Sequence, residues 1–291
     1  MIYTYAVTQQ GNYHLKHDIV CQDANCVKIL GEHFAIGAVA DGLGSELYSD
    51  VASKIAAETS VTYCAEKICA SDGDERILSV MKEAFRIALN KINETARNNG
   101  HSEDQYDTTL ALAVYLNGKV FFGNSGDSGI VVLNRDGTYE AITTQQRDEN
   151  GCVYPLFFGE EYWDFGIKEA VSSVFLATDG MYETLFPYLL KGEEVPIYVA
   201  LAHYLISEEC LNFAYSAEGQ VQQRMESFIA SIPGDQVSDD KTVLVMLDSS
   251  ITSQKQPESY YQSPDWVALK KKRDEEYRRI AYPHLFSDSS D

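Results

Sequence analysis

The 291-residue chain predicts an α+β fold in which helices cover layered β-sheets. Three observations carry this. Short apolar runs come in antiparallel-looking pairs joined by tight turns. Long helical patterns cluster between those pairs. The regular strand–helix–strand alternation of a doubly wound sheet is missing. Hydrophobic residues make up 45% and charged residues 23%, an ordinary globular composition that excludes collagen, a coiled-coil rod and wholesale disorder. A chain this long buries roughly three quarters of its surface, so it needs no disulfide or zinc staple. One large domain with an appendage is expected.

Residues 2–7 alternate weakly and read as a first strand. The runs 27–30 and 34–40 flank Gly31, Glu32 and His33, the pattern of a hairpin. Asp41-Gly42-Leu43-Gly44-Ser45 breaks it, and Ser49 or Asp50 caps a helix to about Cys69. Ile77, Met81, Ala84, Phe85, Ala88, Leu89, Ile92 and Ala96 recur at spacings of three and four, one buried helical face, stopped by Asn98-Asn99-Gly100. Leu110, Leu112, Val114 and Leu116 alternate as a strand, Asn117-Gly118 turns it, and 119–122 returns. Strands follow at 130–133, 174–177 and 242–247, with helices near 197–207 and 220–230. Residues 145–170, rich in Gly, acids and aromatics, read as a flap; Tyr154, Phe157, Phe158, Tyr162 and Trp163 either face a substrate or pack the flap down.

The body is taken as 1–248, then a serine-bearing polar linker at 249–263, then a C-terminal helix and acidic tail at 264–291. The helix carries an apolar stripe of Trp266, Leu269, Tyr277 and Ile280 and the basic residues Lys270, Lys271, Lys272, Arg273, Arg278 and Arg279. That segment has six basic and six acidic residues, so the whole formal charge of −21 sits on 1–263. The helix is expected to dock back on the acidic body, with partner binding as the alternative.

A field of this sign repels nucleic acid and anionic lipid and suits divalent cations. Six cysteines contain no CxxC pair and read as free thiols of a reducing compartment. The N-terminus lacks the basic start and apolar run of a signal peptide, and no run nears the ~20 residues that span a bilayer. A cytoplasmic protein is expected, with no nucleic-acid or membrane partner.

The chemistry lies in a recurrence. Two buried strands end in Asp-Gly, at Asp41-Gly42 and Asp179-Gly180. Asp23 precedes a strand, Asp239-Asp240 precede another, and Asp127 lies between two. Each Asp-Gly alone is a common turn. Several carboxylates meeting at one sheet edge, however, stay ionised together only with cations between them, and hard oxygen ligands select Mg²⁺ or Mn²⁺ over zinc.

The ordered set Cys21-Gln22-Asp23-Ala24, Val39-Ala40-Asp41-Gly42-Leu43-Gly44, Asp107-Thr108-Thr109-Leu110, Gly123-Asn124-Ser125-Gly126-Asp127-Ser128, Leu176-Ala177-Thr178-Asp179-Gly180 and Asp239-Asp240-Lys241-Thr242-Val243 resembles the metal-dependent serine/threonine protein phosphatases of type 2C, in their bacterial form, over about residues 1–248. The resemblance implies two packed antiparallel β-sheets flanked by helices, a four-layer αββα sandwich, with a binuclear Mn²⁺ or Mg²⁺ centre at one end. It implies that Asp23, Asp41, Asp179 and Asp239 hold the metals, that Gly42 adds a backbone carbonyl, and that Asp127 and Glu183 hold a third, weaker ion. It implies hydrolysis of phosphoserine and phosphothreonine in proteins by a metal-bridging water, opposite a serine/threonine kinase. Two departures are visible. The family's phosphate-holding arginine is replaced by Asp18, leaving His14 or Lys16 to bind phosphate weakly, and Leu43 stands where some relatives have a histidine. The alternative reading is a non-catalytic phosphatase-like binding module. A third, an acidic polyanion mimic, predicts acids on helix faces instead of strand ends.

Overall fold

The computed structural model describes residues 1–217 and 219–282; the acidic tail expected at the C-terminus falls in 283–291, outside the described residues. The described chain forms, in order, β1 (Ile2–Gln9), α1 (Asn12–Lys16), β2 (Asp23–Gly31), β3 (Phe34–Asp41), α2 (Ser49–Lys67) and α3 (Asp74–Asn98). Then come β4 (Leu110–Leu116), β5 (Lys119–Ser125), β6 (Gly129–Asn134), β7 (Tyr139–Ala141), β8 (Asp164–Lys168) and β9 (Val171–Ala177). After these lie α4 (Asp179–Leu185), α5 (Val199–Ile206), α6 (Glu208–Leu211), α7 (Gln220–Ser231), β10 (Lys241–Asp248) and α8 (Trp266–Ala281). One sheet has the order β1-β10-β9-β6-β7 and the other β2-β3-β4-β5-β8, with all pairings antiparallel.

The four-layer αββα sandwich is the architecture observed, and the side-chain period shows why. In β3, Phe34, Ile36, Ala38 and Ala40 point to a core shared with α2 and α3, while Ala35 and Val39 point between the sheets. In β10, Val243, Val245 and Leu247 meet α5 and α7, while Leu244 and Met246 point between the sheets. Strands covered on both faces read as continuous apolar runs, as these do. The α3 face is the one its periodicity marks: Ile77, Met81, Ala84, Phe85, Ala88 and Ala96 are fully buried. Truncating Phe85 to alanine would cost about 3–5 kcal/mol.

Three segments differ from their sequence pattern. The flap is not irregular throughout: β8 pairs with β5, and Trp163 is buried edge-on against Phe85 at 5.4 Å. Phe157 and Phe158 are exposed, and Tyr154, Phe158 and Tyr162 pack on one another. Thr178-Asp179-Gly180 ends β9 but also opens α4. Residues 249–263 run packed along the body, with Ser253 Oγ 2.6 Å from Ser172 Oγ and Tyr260 and Tyr261 against the α5 side. Helix α8, capped by Asp265, docks by its first half: Trp266 meets Tyr198 edge-on at 5.1 Å, and Lys272 and Arg273 pair with Glu193. Tyr277 and Ile280 of its stripe face solvent. Among the described residues no helix is long and apolar enough to cross a membrane. The six cysteines are free thiols.

Candidate metal centre

Strand register brings the acids together. The first residue of β2 pairs with the last of β3, so Asp23 stands opposite Asp41. At the same end of the sandwich, Ala177, the last residue of β9, pairs with Val243 near the start of β10 and with Gly129 at the start of β6. The residues just beyond these ends are Asp179, Asp239 and Asp127. Carboxylate oxygens of Asp41, Asp127 and Asp179 lie within 4.8 Å of one another, and His14, Asp239 and Asp240 form a second group within the same limit. The acids sit at strand ends, as the metal reading requires and the polyanion reading does not.

Asp23 and Asp41 are held from behind. The Thr178 hydroxyl donates to Asp23 Oδ2 at 2.8 Å. Thr108 and Thr109 hold the backbone of Asp41: the Thr109 N–H donates to the Asp41 carbonyl at 2.8 Å, and the Asp41 N–H donates to Thr109 Oγ1 at 2.9 Å. These threonines were visible in the motif without a role attached. Both Asp-Gly glycines admit close approach, but of the chain itself. A Cβ on Gly42 would fall 2.5 Å from the Ser49 carbonyl oxygen, and one on Gly180 would fall 2.2 Å from that of Asp240.

Asp240 is not a bystander to Asp239. Buried, it accepts the Gly11 N–H at 2.6 Å and the Gln22 N–H at 2.7 Å, with His14 Nδ1 2.9 Å away. It thereby ties α1 and the approach to β2 onto the loop before β10. His14, a candidate for phosphate, is thus committed inward, though it still borders a 210 Å³ cleft with Asp41, Gly42 and Asp239. Lys16 is exposed on α1, and Asp18 is exposed as well.

The electrostatics follow from this crowding. Burial first, then the charges of Asp23, Asp179, Asp127 and Asp239, push Asp41 well above the usual carboxylate range. Burial likewise raises Asp23, with the Thr178 bond pulling it back and Asp240 adding to the rise. Asp179 is pushed up to about 7 by burial and by Asp127, Asp239 and Glu183. Burial raises Asp127 against the opposing pull of Arg147. Groups that resist ionising because they face one another are groups that a cation relieves. Carboxylate oxygens alone at the Asp41, Asp127 and Asp179 cluster form the hard donor set of Mg²⁺ or Mn²⁺. The donor set therefore fits the metals implied by the motifs.

Sequence reading missed Arg147. This flap residue reaches the rim and contacts Asp127 Oδ2 at 2.7 Å, Glu183 Oε1 at 3.0 Å and Asp179 Oδ2 at 3.1 Å. Its partners lie 20 to 36 positions away in number, so no local spacing signals the contact.

Fold and site together define a metallophosphatase-type sandwich. The family description protein phosphatase 2C matches residues 10–205, two thirds of the chain. The chain belongs to the protein phosphatase 2C family. Among solved structures it is similar to a bacterial serine phosphatase at 16% identity, covering 88% of this chain and 100% of that one with a TM-score of 0.60. It is similar to the serine/threonine phosphatase Stp1 of Staphylococcus aureus at 14% identity, covering 85% and 95% with a TM-score of 0.59. It is also similar to the serine/threonine phosphatase PstP/Ppp of Mycobacterium tuberculosis at 17% identity, covering 87% and 99% with a TM-score of 0.55. At these identities the likeness is one of fold. No curated protein matches the chain.

Proposed function

We propose that this chain hydrolyses phosphoserine and phosphothreonine in proteins, using Mn²⁺ or Mg²⁺ held by Asp23, Asp41, Asp179 and Asp239 with the Gly42 carbonyl. The observation that supports it is the gathering of aspartates from separate elements at one rim, with Asp23, Asp41 and Asp179 raised by burial and by neighbouring acids. Two divalent cations bound there would supply a water of lowered pKa and neutralise phosphoryl charge. The chain's own groups do the rest. Thr178 keeps one Asp23 oxygen oriented, the Thr108-Thr109 pair fixes the exit of β3, and Asp240 pins the three segments behind the ligands. A groove of about 720 Å³ leads from Asp179 and Asp239 past Pro187 and Leu201 to Trp266, with room for residues flanking a phosphorylated side chain.

Substrate phosphate would then depend on the cations more than on side chains, because Asp18 supplies no cation where the family's arginine stands and His14 faces Asp240. Asp18 is the one feature favouring a binding module that holds metal without turnover. The test is hydrolysis of an aryl phosphate, then of phosphoserine and phosphothreonine peptides, by the purified chain with Mn²⁺ or Mg²⁺. Turnover that needs metal and vanishes in Asp41→Asn and Asp179→Asn supports the phosphatase. A folded, metal-binding chain that turns over none of these substrates overturns it in favour of the module. The partners that follow are phosphoproteins and the serine/threonine kinase that modifies them.

A further inference from the structure

The flap carries a positive charge into the rim by a route that its own charge does not set. Immediately before Arg147, Gln145 Nε2 donates to the Asp127 carbonyl at 3.0 Å. The Gln146 N–H donates to the Gly126 carbonyl at 3.0 Å, and the Gly126 N–H donates back to Gln146 Oε1 at 2.9 Å. Immediately after it, Asp148 Oδ1 accepts the N–H groups of Asn150 and Cys152, each at 2.8 Å, and turns the chain so that Arg147 bridges Val153. The root of Arg147 is thus clamped beside Asp127 by bonds on both sides of it. From there one guanidinium nitrogen lies within 3.1 Å of three carboxylates, those of Asp127, Asp179 and Glu183. Asp179 and Glu183 lie four apart on α4, hence on one helix face, and Asp127 comes from the β5–β6 turn.

An ion such as Mg²⁺ at this place would need the same oxygens at about 2.0–2.1 Å. A guanidinium nitrogen and that ion exclude each other. We infer that Arg147 is a built-in cation: its guanidinium takes the place of a third divalent ion among Asp127, Asp179 and Glu183. It neutralises Asp127 and Glu183 and engages Asp179 through Oδ2 alone, so Arg147 acts as a positioning residue for the Asp179 side of the centre. The inference rests on the reading of the rim as a metal centre, and it departs from the three-ion expectation set by the motifs.

The test is calorimetric titration of the full chain with MnCl₂, for the wild type, Arg147→Gln, Arg147→Lys and the double variant Arg147→Gln/Asp127→Asn. Circular dichroism verifies the fold of each. Arg147→Gln is expected to bind one more ion per chain than the wild type. Arg147→Lys keeps the charge and is expected to keep the wild-type number, and the double variant is expected to lose the added ion. Equal stoichiometry in the wild type and Arg147→Gln overturns the inference, as does an added ion that survives Asp127→Asn. The wild-type count bears separately on the phosphatase reading: a wild type that takes up no manganese sinks that reading, while the difference between variants still decides the role of Arg147.

Discussion

Carboxylates stand at both ends of strand β10, and the two ends are built in opposite ways. At its close, Asp248 is surrounded by donors: His33 Nδ1 at 2.8 Å, the Ser250 hydroxyl at 2.7 Å and the Met1 ammonium at 3.3 Å. Burial alone would raise this carboxyl, yet Ser250, His33 and the ammonium hold it below the usual range. At its opening, Asp239 joins acids whose neighbours are other acids, and burial and mutual repulsion drive Asp41, Asp23 and Asp179 upward. One end closes its charge balance within the fold. The other leaves it to be closed by something that binds. A buried acid is thus read by what faces it, and burial itself does not separate the two cases.

The widest gap between the ends should appear on replacing one acid by its amide. Asp41→Asn is expected to lower turnover on the order of 10²–10³-fold, the scale of removing one charge aimed at a reacting centre. The same change should stabilise the chelator-treated protein, because it removes a carboxylate whose charge burial and its neighbours oppose. A kinetic assay paired with thermal melts in EDTA checks both, and a metal-free variant less stable than wild type would break the comparison. Asp240→Ala comes next. It strands the N–H groups of Gly11 and Gln22, costing about 1–3 kcal/mol, and should weaken Mn²⁺ binding about 10- to 100-fold by loosening what stands behind the ligands; calorimetry and denaturant titration read the two effects.

At the closed end the sign reverses. Asp248→Asn should destabilise the chain by about 1–2 kcal/mol, measured by urea unfolding, with turnover per folded molecule intact. The smallest effect is its pH dependence. Because the folded-state value of Asp248 is depressed, its contribution is present above the ordinary carboxylate value near ~3.9 and is lost as pH falls through the folded value. Melts of wild type and Asp248→Asn should therefore begin to approach one another below about pH 4 and converge once the pH is below the depressed folded value, by the same linkage. A gap that persists there would assign the loss to packing and not to charge.

How much of this was legible beforehand depended on distance along the chain. The α3 stripe, the hairpin around His33 and the Asp-Gly strand ends are local patterns, and the structure keeps them. The layering was legible from the paired strands, and the candidate site acids were proposed from six short motifs in order. Three things were not. Helix α4 was hidden because Asp179-Gly180 reads as a turn until Thr178 is seen at the N-cap position. Strand β8 is five residues in a segment of low pattern, and pairing with β5 makes it a strand. The commitment of His14 to Asp240 joins positions 226 apart, and no spacing rule reaches so far.

The origin of the proposed ligands has a mechanical consequence. Asp23 and Asp41 belong to the sheet of β2 and β3, whereas Asp179 and Asp239 flank strands of the sheet holding β9 and β10. An ion shared among them, as proposed, would rivet two slabs that otherwise adhere through the apolar layer of Val39, Ile130, Leu176 and Leu244. Cohesion of the sandwich and occupancy of its centre become one equilibrium, so the melting temperature should climb with manganese concentration until the rivet is saturated.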